Sequence, residues 1–172
     1  MITDKNKLRQ EARKILRRID AETWTEASFR LTQKLSEHPR FREAQNVFIY
    51  LPMVGEPDTL PLIEQFFEEK NFFVWDGTAI VKLLEPKIKT GKFPFPLPKK
   101  SGEVSAKLDL AILPVLLFDQ AKHRLGHGTG WCDRFLAKRN FYALGVGLEC
   151  QLVAELPHET HDQPLDEILT EK

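Results

Sequence analysis

Apolar positions recur at helical spacing in the first segment, where Leu8, Ala12, Ile15, Leu16 and Ile19 share one face of a helix predicted over Asp4 to Ile19. Lys5, Lys7, Arg9, Arg13, Lys14, Arg17 and Arg18 occupy the rest of its circumference, so it reads as a basic amphipathic helix. A second helix follows over about Glu22 to Glu37, with Trp24, Ala27, Leu31 and Leu35 at steps of three and four, and His38-Pro39 ends it. The period then changes. Asn46 to Leu51 (NVFIYL) is short, apolar and rich in β-formers, and it is followed by Pro52, the turn Gly55-Glu56-Pro57 and an N-cap at Asp58. A helix over Thr59 to Lys70, turning Leu62, Ile63, Phe66 and Phe67 inward, leads to a second buried run at Phe72 to Trp75. Strand, helix and strand in this order make a βαβ unit and imply a parallel sheet.

Further along, Ala79 to Leu84 adds a strand, and the prolines and glycines between 86 and 107 predict a surface loop. LDLAILPVLLF (Leu108 to Phe118), the most apolar segment, is expected to form one central strand with Pro114 near its end. Tyr142 to Leu148 is the last strand expected before a polar tail containing His158, His161, Asp162 and Asp166. The fold class is therefore α/β with a parallel sheet.

Length and composition narrow the classes. A chain of 172 residues fits one domain, 1–172. Its 25 basic and 25 acidic side chains cancel, which removes the global positive field that drives nucleic-acid binding, so an anionic ligand must be held locally. Cys132 and Cys150 are the only cysteines and form no CxxC pair, which disfavours disulfide scaffolds and zinc ribbons. No apolar run reaches membrane-spanning length, and the first residues are charged where a signal peptide is apolar; a cytoplasmic protein without membrane partners is expected.

The chemistry concentrates in Arg124-Leu125-Gly126-His127-Gly128-Thr129-Gly130-Trp131-Cys132-Asp133-Arg134, placed between the central strand and a helix running to about Arg139. Glycines at 126, 128 and 130 permit positive φ and close approach, so successive N–H groups can converge on a phosphate. The helix start adds unsatisfied donors, and Arg124 adds a bidentate cation. Asp133 either caps the helix or binds Mg²⁺ through water. A glycine turn serving only strand-to-helix packing is the alternative, since the segment matches neither the Walker pattern nor GxGxxG. Cys132 has no evident base partner and reads as packing. His127 and His161 lack further metal-ligand spacing.

Several motifs in order resemble the 5-formyltetrahydrofolate cyclo-ligase family: Lys5-x-x-Leu8-Arg9, Gly55-Glu56-Pro57-Asp58-Thr59, Phe118-Asp119, Arg124-Leu125-Gly126, Asp133-Arg134-Phe135-Leu136, Gln151-Leu152-Val153, Leu156-Pro157 and His161-Asp162. The resemblance covers most of the chain, and it implies a three-layer α/β/α arrangement around an open, mostly parallel, Rossmann-like sheet. It also implies MgATP-dependent conversion of 5-formyltetrahydrofolate to 5,10-methenyltetrahydrofolate, ADP and phosphate. By that resemblance Lys5, Arg9, Arg124, Leu125, Gly126, His127, Gly128, Thr129, Gly130 and Trp131 bind ATP, Asp133 and Asp162 serve Mg²⁺, and Glu56 faces the folate. Glu56 and Arg124 are then the catalytic candidates. Without the resemblance, Lys5 and Arg9 read as a solvated helix face, and Glu56 and Asp162 as turn acids.

The chain departs from the family pattern at Thr129 and Cys132, at Trp75-Asp76 after the second strand, and at Leu97-Pro98. Those departures leave a catalytically impaired nucleotide- or folate-binding relative as the alternative, with a sugar-phosphate or CoA enzyme of similar architecture as a third reading. A monomer is the expected assembly.

Overall fold

A computed structural model describes residues 4–89, 97–98, 101–102, 107–159 and 162–172. The first helix, α1 (Lys5–Leu16), starts where Asp4 accepts a hydrogen bond from the Asn6 amide, which satisfies one free donor of the first turn. Asp20 caps α2 (Ala21–Glu37) in the same way through Thr23. Beyond the expected stop at His38-Pro39 the chain enters another helix, α3 (Pro39–Glu43). Here His38 caps, and Pro39 occupies the first turn, where a missing N–H costs nothing.

The sheet begins with β1 (Asn46–Ile49), crosses through α4 (Leu60–Phe66) and returns as β2 (Asn71–Trp75), parallel to β1. The expected helix over Thr59 to Lys70 is thus shorter at both ends. Asp58 still accepts from the Leu60 amide, but one residue further out than a cap position, and Phe67 onward unwinds into turns that bring Asn71 into the sheet. β2 turns directly into β3 (Ile80–Leu83), which is antiparallel to it.

Within the expected 86–107 loop, β4 (Ile88–Lys89) pairs with β5 (Leu97–Pro98), and β6 (Ser101–Gly102) pairs with β3. Short edge ladders tolerate proline because its missing donor is not needed there. Residues 90–96, 99–100 and 103–106 of that segment, including Gly91, Pro94 and Pro96, lie outside the described residues.

The expected central strand is split. β7 (Leu110–Pro114) is flanked by β1 and a later strand, whereas β8 (Leu117–Phe118) leaves the sheet to form a hairpin with β9 (Arg124–Leu125). Pro114 ends the ladder and the chain bends there, because a proline cannot donate to the next rung. After α5 (Trp131–Ala137), which ends short of the expected Arg139, β10 (Tyr142–Val146) joins β7. Beyond Tyr142 to Leu148, the last strand expected, the polar tail supplies a further one, β11 (Glu167–Leu169), as a parallel edge strand.

The sheet order is β11-β10-β7-β1-β2-β3-β6, parallel from β11 through β2. Alternation along the strands sorts side chains to two faces. Val47, Ile49, Phe72, Val74, Leu110 and Ile112 pack with Leu31, Leu35, Phe41, Leu62 and Ile63 of α2, α3 and α4. Phe48, Phe73, Ala111, Leu113 and Ala143 face Cys132 and Leu136 of α5 on the other side. This is the expected α/β/α sandwich.

Connectivity reverses at β1: the chain continues from β1 to β2 on one side, while β7 enters on the other and proceeds outward to β10. Loops leaving the carboxyl ends of β1 and β7 therefore diverge, and such a switch point opens a crevice. Buried Gln151 helps set the second loop, donating to the carbonyls of Val115 at 2.7 Å and Leu116 at 3.0 Å and accepting from Leu148 N–H.

Replacing Gln151 with Leu leaves these three backbone groups without that partner. We predict a loss of about 2 to 4 kcal/mol in urea unfolding, since each buried unsatisfied group costs about 1 to 3 kcal/mol; a change below about 0.5 kcal/mol, the usual effect of a neutral surface substitution, would contradict it.

Candidate active site

A cavity of about 410 Å³ lies in that crevice. Its floor is formed by the carboxyl ends of three strands, represented by Phe48 and Tyr50, Trp75, and Pro114. One wall is the 52–59 loop. Gly55 adopts φ +89°, a conformation open to glycine, and the turn folds Glu56 back so that its carboxylate accepts from the Met53 amide at 2.9 Å. Tyr50 donates to the Pro57 carbonyl at 2.8 Å, Thr59 donates to the Tyr50 carbonyl, and Asp58 N–H donates to Ser28 of α2. Burial, with Glu56 and Asp58 nearby, pushes the Tyr50 hydroxyl well above its ordinary pKa, so it stays a donor.

The opposite wall is the glycine bend. Gly128 and Gly130 have positive φ, +101° and +66°, whereas Gly126 does not. Gly126 instead allows a close approach: a Cβ there would come within 2.7 Å of the Arg124 guanidinium, which folds beneath the bend and would have to shift. Arg124 is nearly fully buried, donates to Asp133 at 2.7 Å, and its Nε has no partner among the described residues. A buried guanidinium with an unused donor is costly unless a further acceptor arrives.

The N-terminal helix supplies the third side. Arg9 donates from Nε to the Gly126 carbonyl at 2.9 Å and from Nη1 to Asn6 at 2.8 Å. Lys5 pairs with Asp162 at 2.7 Å and Glu159 at 3.5 Å. Burial alone would lower the Lys5 pKa, but the hydrogen bond and charge of Asp162, with those of Glu159, outweigh it and raise the pKa. Glu159 and Asp162 are carried here by a tail segment tied down through Asp119. That buried carboxylate accepts from the Leu156 and His123 amides at 3.0 Å each, and the His123 and His158 rings stack 4.1 Å apart.

Of the site residues expected from sequence, Lys5, Arg9, Glu56, Arg124, Gly126, His127, Gly128, Thr129, Gly130, Trp131, Asp133 and Asp162 all line this one cavity. Leu125 does not; it packs with Ala12, Leu16, Leu116 and Leu156. His161 lies outside the described residues. Residues not singled out beforehand are Tyr50, Leu51, Met53 and Glu159, together with Phe48, whose ring lies 5.8 Å from that of Trp131. Only their position at strand ends or in the tail signals them, and that position is not visible before the topology is known.

The departures sort by geometry. Trp75 stacks on Trp131 with ring centres 5.3 Å apart and planes 12° from parallel, giving the cavity an aromatic wall. Asp76 turns instead into the β2–β3 turn. It accepts from Ala79 and Thr78, bonds that lower its pKa. Cys132 is buried against the sheet.

Among the described residues no three His, Cys, Asp or Glu side chains gather into a ready metal cluster. Magnesium does not need one, because it commonly takes one or two carboxylates plus substrate phosphates and water. Asp133 and Asp162 fit that donor set.

A mostly parallel α/β protein with a crevice lined by Lys5, Arg9 and Arg124 at its switch point is the class that fold and site define. The model of the 5-formyltetrahydrofolate cyclo-ligase family matches residues 1–171, and the chain belongs to that family. It is 28% identical to the 5-formyltetrahydrofolate cyclo-ligase of Mus musculus, over 97% of this chain and 93% of that protein. The Haemophilus influenzae protein of the same name is 29% identical, with 96% of each covered. The NMR structure of Aquifex aeolicus 5,10-methenyltetrahydrofolate synthetase superposes with a TM-score of 0.86 at 26% identity, covering 99% of this chain and 91% of that one.

Burial pushes the Cys132 thiol up to about 11, with Asp133 adding to the shift and Arg124 opposing it. At pH 8 its thiolate fraction is then on the order of 10⁻³, too small for rapid attack. A disulfide-exchange thiol titration of native protein should count Cys150, which is exposed, and register Cys132 only after denaturation. Equal rates for both thiols in the native state would contradict this placement.

Proposed function

We propose that the protein is an ATP-dependent 5-formyltetrahydrofolate cyclo-ligase that forms 5,10-methenyltetrahydrofolate, ADP and phosphate. The observation that carries the reading is the meeting of α1 with the glycine bend. Arg9 hydrogen-bonds Gly126 across 117 positions of sequence, in a cavity that also holds Lys5, Arg124 and Glu56. No local pattern requires that meeting. A triphosphate requires convergent cations, and Lys5, Arg9 and Arg124 line this one cavity.

In the proposed reaction the formyl oxygen attacks the γ-phosphorus, forming an O–P bond as ADP leaves with the electrons of the broken P–O bond. N10 then attacks the activated carbon and loses its proton, and the C–O bond breaks to release phosphate. Little covalent work falls to the protein, so positioning and charge neutralisation dominate. Lys5, Arg9 and Arg124 neutralise the phosphates, with the 126–130 segment enclosing them. The orphan Nε of Arg124 gains an acceptor when an anion enters. Glu56 faces the folate near the reacting formyl group, and the Trp75–Trp131 wall offers a flat apolar surface for one of the two heterocycles. Magnesium, held by Asp133 and Asp162, would supply charge neutralisation on the phosphates.

The enzyme works as a monomeric single domain in the cytoplasm, without nucleic-acid or membrane partners. No helix among the described residues is long and apolar enough to cross a membrane.

Purified protein given 5-formyltetrahydrofolate, ATP and magnesium should produce the methenyl absorbance, and EDTA should abolish it. Nucleotide binding with no product would favour the impaired relative. Phosphosugar or CoA binding without ATP binding would favour the third reading. Arg9→Ala should raise the Michaelis constant for ATP roughly tenfold or more, because a hydrogen bond to a charged group is worth about 1.5 to 3 kcal/mol. An unchanged constant would remove Arg9 from the nucleotide site.

A further inference from the structure

Glu56 is buried but has no Lys or Arg partner among the described residues. Its Oε2 accepts from the Met53 amide at 2.9 Å, and its Oε1 lies 3.0 Å from His127 Nε2. His127 stands in the glycine bend between Gly126, whose carbonyl Arg9 holds, and Gly128, which packs against the Arg9 guanidinium. A single imidazole therefore joins the bend to the acid of the opposite loop. Glu56 and His127 also form part of the wall shared with a neighbouring cavity lined by Arg13, Arg17 and Trp24. Both residues therefore stand where the two cavities meet.

Family resemblance places His127 with the nucleotide-binding residues, but its ring is directed onto Glu56. We propose that His127 is a positioning residue for Glu56: its Nε2–H donates to Oε1, fixes the carboxylate at the wall of the reaction cavity, and makes the placement of Glu56 depend on the conformation of the nucleotide bend. With Met53 N–H holding the other oxygen, the carboxylate has both ends tethered. Removing the imidazole frees one end and lets it rotate toward the arginine-lined cavity. This inference rests on the cyclo-ligase reading for its kinetic consequence, though not for the hydrogen bond itself.

The test compares wild type, His127→Ala and His127→Gln in methenyl formation. A glutamine side-chain amide can donate from nearly the same place as Nε2. His127→Ala should lose about thirtyfold or more in kcat, since misplacing a reacting group by about an ångström can cost about a hundredfold. Its Michaelis constant for ATP should stay within about threefold, and His127→Gln should recover kcat to within about threefold of wild type, the pattern of lost placement rather than lost binding. A rise confined to the ATP constant, full activity in His127→Ala, or no recovery in His127→Gln would each overturn the proposal.

If wild type forms no methenyl product, the reaction assignment fails, and the hydrogen bond is tested separately. Nitrogen-15 NMR of the imidazole should then show a protonated Nε2 whose resonance moves in Glu56→Ala. An unmoved resonance would overturn the positioning role whatever the reaction.

Discussion

The rest of the site depends on the seating of a basic helix against a glycine bend. α1 belongs to neither face of the sheet. It is held by Ala12 and Leu16 against Leu116, Leu117, Leu125 and Leu156, and at its start by Lys5 on Asp162 and Arg9 on the Gly126 carbonyl. The apolar contacts are the larger stabilising term, at about 1.5 to 3 kcal/mol per large buried side chain, and the polar ones set the register. Leu125 thus serves the site without facing it, because its burial anchors the strand from which Arg124 and Gly126 emerge.

Below that helix the crevice follows from chain order. The 52–59 loop leaves β1 toward β2, and the segment after β7 leaves in the opposite sense, so a gap opens between them. The His127–Glu56 hydrogen bond bridges that gap, while the Arg124–Asp133 pair, its guanidinium buried and its carboxylate partly exposed, supports it from beneath. Such an ion pair offers little net stability, since desolvation offsets its attraction. Under the proposed function, the unused Nε is the donor that an incoming phosphate would take up.

Much of the fold was legible because its signals are local. The periodic faces of α1 and α2 and the runs at Asn46 and Phe72 report their own secondary structure, and strand, helix, strand implies a parallel pair. What escaped depends on partners far away. The run ending at Phe118 reads as one strand, but β8 breaks away to pair with β9, and Glu167–Leu169 becomes a strand only because β10 offers an open edge. The candidate site divides the same way. Glycine spacing marks the bend, whereas the Arg124–Asp133 pair, the Trp75–Trp131 stack and the approach of Lys5 are tertiary facts. Periodicity alone would leave Lys5 and Arg9 as a solvated face, and only family resemblance assigned them a ligand.

A crystal structure of the protein with a non-hydrolysable ATP analogue and magnesium tests the central claim most directly. We predict a triphosphate enclosed by residues 126–130, with Lys5, Arg9 and Arg124 on its oxygens and Asp133 or Asp162 facing the metal. A triphosphate bound elsewhere, or a bend that stays packed against α1 and excludes the nucleotide, would contradict it.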